Sequence, residues 1–200
     1  WREIINKISQ KKKPVIIATG ASNLSEVKSA INLIYKNNKK IILMQCNTNY
    51  TYNEENFKYI NLNVLKTFKK IFKDKIILGL SDHTQGHSTV LGAVTLGARV
   101  IEKHFTDNNN RKGPDHYFSL NPITWTEMVK ETRRLEKALG NGKKIVEKNE
   151  KRTNYIQRRG SYAIREIRKN ETIKLKDIIF LRPYFKGSIS PFTNKKTFGK

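Results

Sequence analysis

Short apolar runs alternate with amphipathic stretches over the first two-thirds of the chain. Helical patterns with apolar positions three and four residues apart lie between these runs, and Ser22 or Ser25 could cap the first of them. Continuous apolar strands separated by helices are typical of parallel sheets, so the pattern predicts consecutive βα units. The runs predicted to be buried strands are 14–18, 41–44, 76–80 and 99–104.

Consecutive βα units fit two α/β architectures. Four units make half of an eight-stranded (βα)8 TIM barrel, and an open doubly wound sheet is the alternative. The segment 19–22 after the first strand lacks the glycine spacing of a dinucleotide loop, which argues against the open sheet. The opening residues from Trp1 already have a helical pattern, so we expect the chain to be a fragment whose partner strands lie upstream.

A second region follows the predicted half-barrel. A long amphipathic helix should begin at the cap Asn121 and end at Gly140, closing a barrel segment over 1–140. Residues 141–157 are rich in Lys, Glu and Asn and are predicted to be a linker. Residues 158–200 contain two further strand patterns and are predicted to form a small, mainly β domain that is truncated at the end of the chain.

Composition narrows the class of protein less than the pattern of apolar and polar residues does. The formal charge of +23 suggests a polyanion partner, but the lysines are scattered and no basic cluster with interleaved aromatics is present, so we expect no nucleic-acid partner. The single cysteine, Cys46, excludes an internal disulfide and favours a cytoplasmic location. Because no apolar run reaches the length of a bilayer span, we expect no membrane segment.

Chemically capable side chains collect where the predicted strands end. Of the four histidines, His83 and His104 end two consecutive strands, each beside an acid, Asp82 or Glu102. The carboxyl ends of barrel strands share one face, so both imidazoles could reach one ion, and a neighbouring carboxylate could orient each ring. Two imidazoles with water or substrate oxygens suit a labile divalent ion such as Mn²⁺ or Mg²⁺.

The turn 113–116 follows the fourth strand and could place Asp115 over the mouth of a barrel. A carboxylate there would suit hydrogen bonds to sugar hydroxyls, although a plain surface turn fits the same residues. His87 and His116 lack a strand-end position and are interpreted as loop residues.

These residues resemble the sialic acid synthases, a family that includes N-acetylneuraminate synthase and its legionaminate and pseudaminate relatives. The resemblance covers nearly the whole chain, with 14–22 similar to the fifth barrel strand of the family, 44–50 to the sixth, and 158–200 to its small antifreeze-like (SAF) domain. The motifs that carry it, in chain order, are Gly79-Leu80-Ser81-Asp82-His83-Thr84, then residues 96–106, then Gly113-Pro114-Asp115-His116.

The resemblance implies a function and a set of site residues. The family condenses phosphoenolpyruvate with an N-acetylated amino sugar, such as N-acetylmannosamine, in a metal-dependent reaction that gives a nonulosonic acid and phosphate. It works as a domain-swapped homodimer of barrels that each carry a SAF domain. The implied roles are metal ligation by His83 and His104, phosphoenolpyruvate binding by Ser22 and Ser81, sugar binding by Tyr50 and Asp115, a catalytic or supporting carboxylate at Glu102, and an arginine, Arg182, that reaches the partner's active site.

Two departures from the family pattern bear on these expectations. Residues 50–53 replace a Tyr-Pro-Thr-Pro run, which leaves the choice of amino sugar open. The family's residues on the first four barrel strands are missing, so this chain alone should be inactive. The alternatives are another metal-dependent barrel synthase or aldolase that condenses phosphoenolpyruvate, which need not carry the second domain, and a polyanion-binding module.

Overall fold

A computed structural model describes residues 1–50 and 53–192 of the chain. The chain divides into two compact units, Trp1–Asn141 and Gly142–Lys200. No helix among the described residues combines the length and the apolar character needed to cross a membrane.

The first unit is built on a four-stranded parallel sheet. Each strand pairs with the strand that precedes or follows it in the chain, in the order β1-β2-β3-β4. This is the winding of a barrel, whereas a doubly wound sheet reverses its strand order at a switch point. The strands are β1 (Val15–Ala18), β2 (Ile41–Cys46), β3 (Ile77–Asp82) and β4 (Val100–Lys103).

Helices precede the sheet and follow each of its strands. The last helix begins, as predicted, at the cap Asn121, whose side chain accepts hydrogen bonds from the first-turn amides, and it is followed by Gly140. The helices are α1 (Arg2–Ser9), α2 (Leu24–Asn37), α3 (Val64–Phe72), α4 (Ser88–Thr95) and α5 (Pro122–Leu139).

The two faces of the sheet differ in burial because side chains alternate along each strand. One face packs against the helices and forms a core that includes Leu43, Leu80 and, from α3, Leu65, all fully buried. On the opposite face Ile16 and Ile77 remain about half exposed, at 54% and 47%. In a barrel this second face is the interior, and it carries the polar strand ends.

Two local predictions are corrected by the structure. Asn23, rather than Ser22 or Ser25, caps α2, because Glu26 lies three residues on and completes a reciprocal capping box. The single helix expected over 59–72 is instead a 3-10 helix, Glu54–Tyr59, followed by α3. Asn61 separates the two with φ of +47°, a left-handed conformation that asparagine tolerates better than most residues.

The described part of the second unit, residues 142–192, contains two antiparallel strands. These are β5 (Gly160–Ala163) and β6 (Ile178–Leu181), and Arg165 supports their connection by donating to Asp177 at 2.9 Å. The segment predicted to be a linker includes a short helix, α6 (Lys151–Gln157), and its side chains are almost all exposed.

Candidate active site

The carboxyl ends of β3 and β4 bring His83 and His104 together. Each histidine lies just beyond its strand, and the two rings are 5.1 Å apart between centroids at an interplanar angle of 61°. The strands are direct neighbours, with Ser81 beside Glu102 in the register, so both imidazoles project from the same edge of the sheet.

A main-chain carbonyl fixes the tautomer of His83. Nδ1 lies 2.7 Å from the carbonyl oxygen of Asn47, in the loop after β2. Because a carbonyl can only accept, Nδ1 carries the proton and Nε2 keeps its lone pair. This is the arrangement that orients metal-ligating histidines in proteins.

His104 is also suited to be a neutral ligand. Burial lowers the pKa of His104, and the repulsion that would arise if both imidazoles were protonated lowers it further, while Asp115 opposes the shift. Asp115 Oδ2 is 3.7 Å from Nδ1 of His104, which places the carboxylate beside the ring but beyond hydrogen-bonding distance. At neutral pH the ring is therefore neutral and able to donate a lone pair.

Aromatic rings surround the two histidines. Tyr50, which is about half exposed, lies 4.2 Å from His83 and 5.5 Å from His104 between ring centroids. Phe118, from the loop after β4, also packs against His104, at 5.1 Å between ring centroids. Tyr50 and Asp115, both predicted to bind sugar, thus meet at the histidine pair, although they are far apart in the chain.

Ser81 and Glu102 form a second polar group on the same face, two residues before the histidines. The Ser81 hydroxyl donates to Glu102 Oε1 at 2.7 Å. The buried thiol of Cys46 lies beside Ser81 in the register, and burial raises its pKa, so it is not primed as a nucleophile. Glu102, by contrast, lies on the same face as the two histidines, and its carboxylate accepts the hydrogen bond from Ser81.

The expectation that Asp82 orients His83 is wrong. Asp82 points to the helix side of the sheet, where its carboxylate pairs with Lys103 Nζ at 2.5 Å and accepts a hydrogen bond from Thr89 at 2.6 Å. Alternation along the strand sends consecutive side chains to opposite faces, which explains why Asp82 and His83 diverge. Glu102 lies on the same face as His104, but its carboxylate accepts from Ser81 of the neighbouring strand. Sequence reasoning missed the role of Lys103, although the register of two strands with Asp and Lys at matching positions would have indicated it.

Ser22 lies apart from the histidines, on a neighbouring cavity. The cavity has a volume of ≈ 860 Å³ and is lined by residues after β1 and β2, including Thr19, Ser22, Asn47 and Thr48. It shares Asn47 with the histidine site, since that carbonyl holds His83. The Ser22 hydroxyl donates to the Gly20 carbonyl at 3.3 Å.

Arg182 belongs to the second unit and directly follows β6. It is exposed, and its peptide bond to Pro183 is cis. Its part in an active site stays a prediction. The residues after Tyr50 that depart from the family pattern, Thr51 and Tyr52, lie outside the described residues.

Comparison with known proteins decides the family. A family model described as the NeuB family matches residues 1–144, which include both histidines and the Asp115 turn. The chain belongs to the NeuB family. The resemblance to sialic acid synthases predicted from its motifs is thereby confirmed.

Two curated relatives extend this result. The chain is 37% identical over 182 residues to the N,N'-diacetyllegionaminic acid synthase of Campylobacter jejuni, covering 90% of this chain and 53% of that protein. It is 40% identical over 181 residues to an uncharacterised protein of Methanocaldococcus jannaschii, covering 90% of this chain and 52% of that protein. The chain thus spans about half the length of these curated relatives.

A crystal structure supports the fold. The N-acetylneuraminic acid (sialic acid) synthetase of Leptospira borgpetersenii, solved with citrate, superposes with a TM-score of 0.67 at 30% identity, over 76% of this chain and 51% of that one. The predicted fold class, a partial βα barrel, is confirmed by this likeness and by the parallel strand order. The assignment of 158–200 to a SAF domain stays a prediction.

Proposed function

We propose that the full-length protein condenses phosphoenolpyruvate with an N-acetylated amino sugar to give a nonulosonic acid and phosphate. C3 of phosphoenolpyruvate bonds to the aldehyde carbon of the open-chain sugar, a water oxygen adds at C2, and the C2–O bond to phosphate breaks. The observation that carries the proposal is the meeting of His83, His104, Tyr50 and Asp115 at one end of β3 and β4.

The residues at this point fit a divalent ion. His83 has a tautomer that leaves Nε2 unprotonated, and the lowered pKa of His104 keeps that ring neutral. Two imidazoles with water or substrate oxygens completing the shell would suit such an ion. When bound, Mn²⁺ or Mg²⁺ would supply Lewis acidity that polarises the sugar aldehyde.

Glu102 and Ser81 are placed to handle protons and the anionic substrate. The Ser81 hydroxyl already donates to a carboxylate, so it can donate to an anionic oxygen of phosphoenolpyruvate after a small rotation. Glu102, as a carboxylate on this face, would take a proton from the attacking water. Ser22 would bind phosphoenolpyruvate from the adjoining cavity.

Tyr50 and Asp115 would hold the amino sugar. The Asp115 carboxylate can accept hydrogen bonds from two hydroxyls, and the Tyr50 ring offers an apolar face to the sugar carbons. We further propose that Arg182 is supplied to this site by the other subunit of a domain-swapped homodimer, where its guanidinium would pair with the acyl group or carboxylate of the ligand.

Product analysis tests the proposed function. Full-length protein would be incubated with phosphoenolpyruvate, Mn²⁺ and a panel of amino sugars that includes N-acetylmannosamine and 6-deoxy di-N-acetylated sugars. We expect one of them to yield a nonulosonic acid and phosphate in equal amounts, and chelation of the metal to stop the reaction. Phosphate release without a condensed product, or no turnover with any sugar, would contradict the proposal.

A further inference from the structure

The loop between β4 and α5 holds Asp115 in an unusual backbone conformation. Its φ is +70°, in the left-handed region that residues with a Cβ rarely adopt. Such conformations persist where the surrounding structure fixes them, and they concentrate at ligand-binding positions. The loop is therefore expected to contain groups that hold Asp115 in place.

Ser119 closes a turn around Asp115. Its hydroxyl donates to the Asp115 carbonyl at 2.5 Å, and its amide donates to the same oxygen at 3.2 Å. These contacts fix the peptide that follows Asp115. Both lie within the turn, so they do not attach the turn to His104 or to its strand.

Asn109 ties this turn to the rest of the barrel segment. Its Nδ2 donates to the carbonyls of His116 and Ser119, each at 2.8 Å, and its Oδ1 accepts from Asn121 Nδ2 at 2.8 Å. Asn121 is the N-cap of α5, so one side chain connects the turn on the carboxyl side of Asp115 with a helix start. All three contacts use the amide in one orientation, with its nitrogen toward the loop.

His116 makes a second tie through its side chain. Its Nδ1 lies 2.8 Å from the hydroxyl of Thr106, which is buried just after β4. The ring of His116, the residue after Asp115, is therefore attached close to the strand end that carries His104.

We propose that Asn109 and the Thr106–His116 pair are positioning residues that hold the Asp115 carboxylate beside His104 and so set the affinity for the amino sugar. This inference rests on the proposed function. The inference gives Asn109 and His116 a positioning role. It also predicts that the turn around Asp115 affects binding of the amino sugar and does not affect binding of phosphoenolpyruvate.

One substitution at Asn109 can remove the donor of its side chain and keep the acceptor. Asn109→Asp keeps the size and the acceptor toward Asn121 but replaces the donor that serves the two carbonyls with an oxygen that repels them. Asn110→Asp is the matched control, since it makes the same change of charge and shape one residue along, at an exposed position.

The test is steady-state kinetics of the full-length enzyme with both substrates varied. We expect Asn109→Asp to raise KM for the amino sugar about 10- to 100-fold, as for a small misplacement of a binding group, while KM for phosphoenolpyruvate stays within about twofold. Asn110→Asp should match wild type. Equal behaviour of the two variants, or a parallel rise in both KM values, would overturn the proposal.

A second pair of variants covers the case in which Asn109→Asp does not fold. Thr106→Val removes the hydroxyl that holds His116 with little change in volume, and Thr106→Ser retains it. The sugar KM should rise in Thr106→Val and recover in Thr106→Ser, and the same high KM in both variants would count against positioning.

Hydrogen exchange separates a failure of this inference from a failure of the proposed function. If wild type forms no product, the proposed function is wrong, but amide exchange over residues 113–119 still tests the loop. Faster exchange there in Asn109→Asp than in Asn110→Asp supports positioning, and equal exchange contradicts it.

Discussion

His83 illustrates how a residue's role depends on a partner that the sequence does not reveal. Its position at the end of β3 predicted a ligand, and its ring does meet His104 at 5.1 Å between centroids. The group that fixes its tautomer is the carbonyl of Asn47, thirty-six residues earlier in the chain. Any residue presents a carbonyl, so no side-chain pattern could have identified this contact.

At the scale of single residues, substitution of Asp115 gives a prediction about sugar binding. Asp115→Asn keeps the shape but removes the negative charge and one acceptor, which a sugar hydroxyl pair would need. We expect kcat/KM for the preferred sugar to fall about 10²-fold or more, because a site built on such hydrogen bonds discriminates strongly. Steady-state kinetics with N-acetylmannosamine and a 6-deoxy di-N-acetylated sugar would measure it, and unchanged kinetics for every accepted sugar would contradict the role of the turn.

At the scale of elements, the strands were predictable and the loops were not. Runs such as 41–44 become buried strands because their side chains face the core on one side and the barrel interior on the other. The convergence of the histidines follows from two such strands being adjacent and parallel. The contacts that hold the turn around Asp115 were not predictable, because Asn109 donates to main-chain carbonyls and the sequence position of His116 indicates only a loop residue.

The buried pair of Asp82 and Lys103 joins the two histidine-bearing strands on their helix side. Both side chains are almost fully buried, at 0% and 2% exposure, and Lys103 also donates to the Thr84 carbonyl at 2.7 Å. Removing one charge leaves the other desolvated, so Lys103→Met should lower the free energy of unfolding by about 3–5 kcal/mol.

Urea denaturation of the full-length protein would measure this loss. Lys66→Met, at an exposed position on α3, is the control and should change the free energy of unfolding by less than about 0.5 kcal/mol. Similar losses in the two variants would show that the ion pair does not hold β3 to β4.

At the scale of the whole molecule, the chain combines a partial barrel with a second unit that carries Arg182. If that arginine serves the opposite subunit, Arg182→Ala and His83→Ala damage different halves of each composite site. Mixing the two inactive full-length variants should then restore activity, since some hybrid dimers contain one site with both residues intact. Verified heterodimers that stay inactive would contradict the swapped arrangement.

The central claim is that His83 and His104 jointly bind one catalytic divalent ion, and Mn²⁺ titration of the full-length protein tests it most directly. Wild type should bind one ion per subunit at this site, and His83→Ala or His104→Ala should each weaken binding by at least about tenfold. His87→Ala, which alters a histidine before α4, should bind as wild type does. Equal Mn²⁺ affinity in wild type and in both site variants would contradict the account.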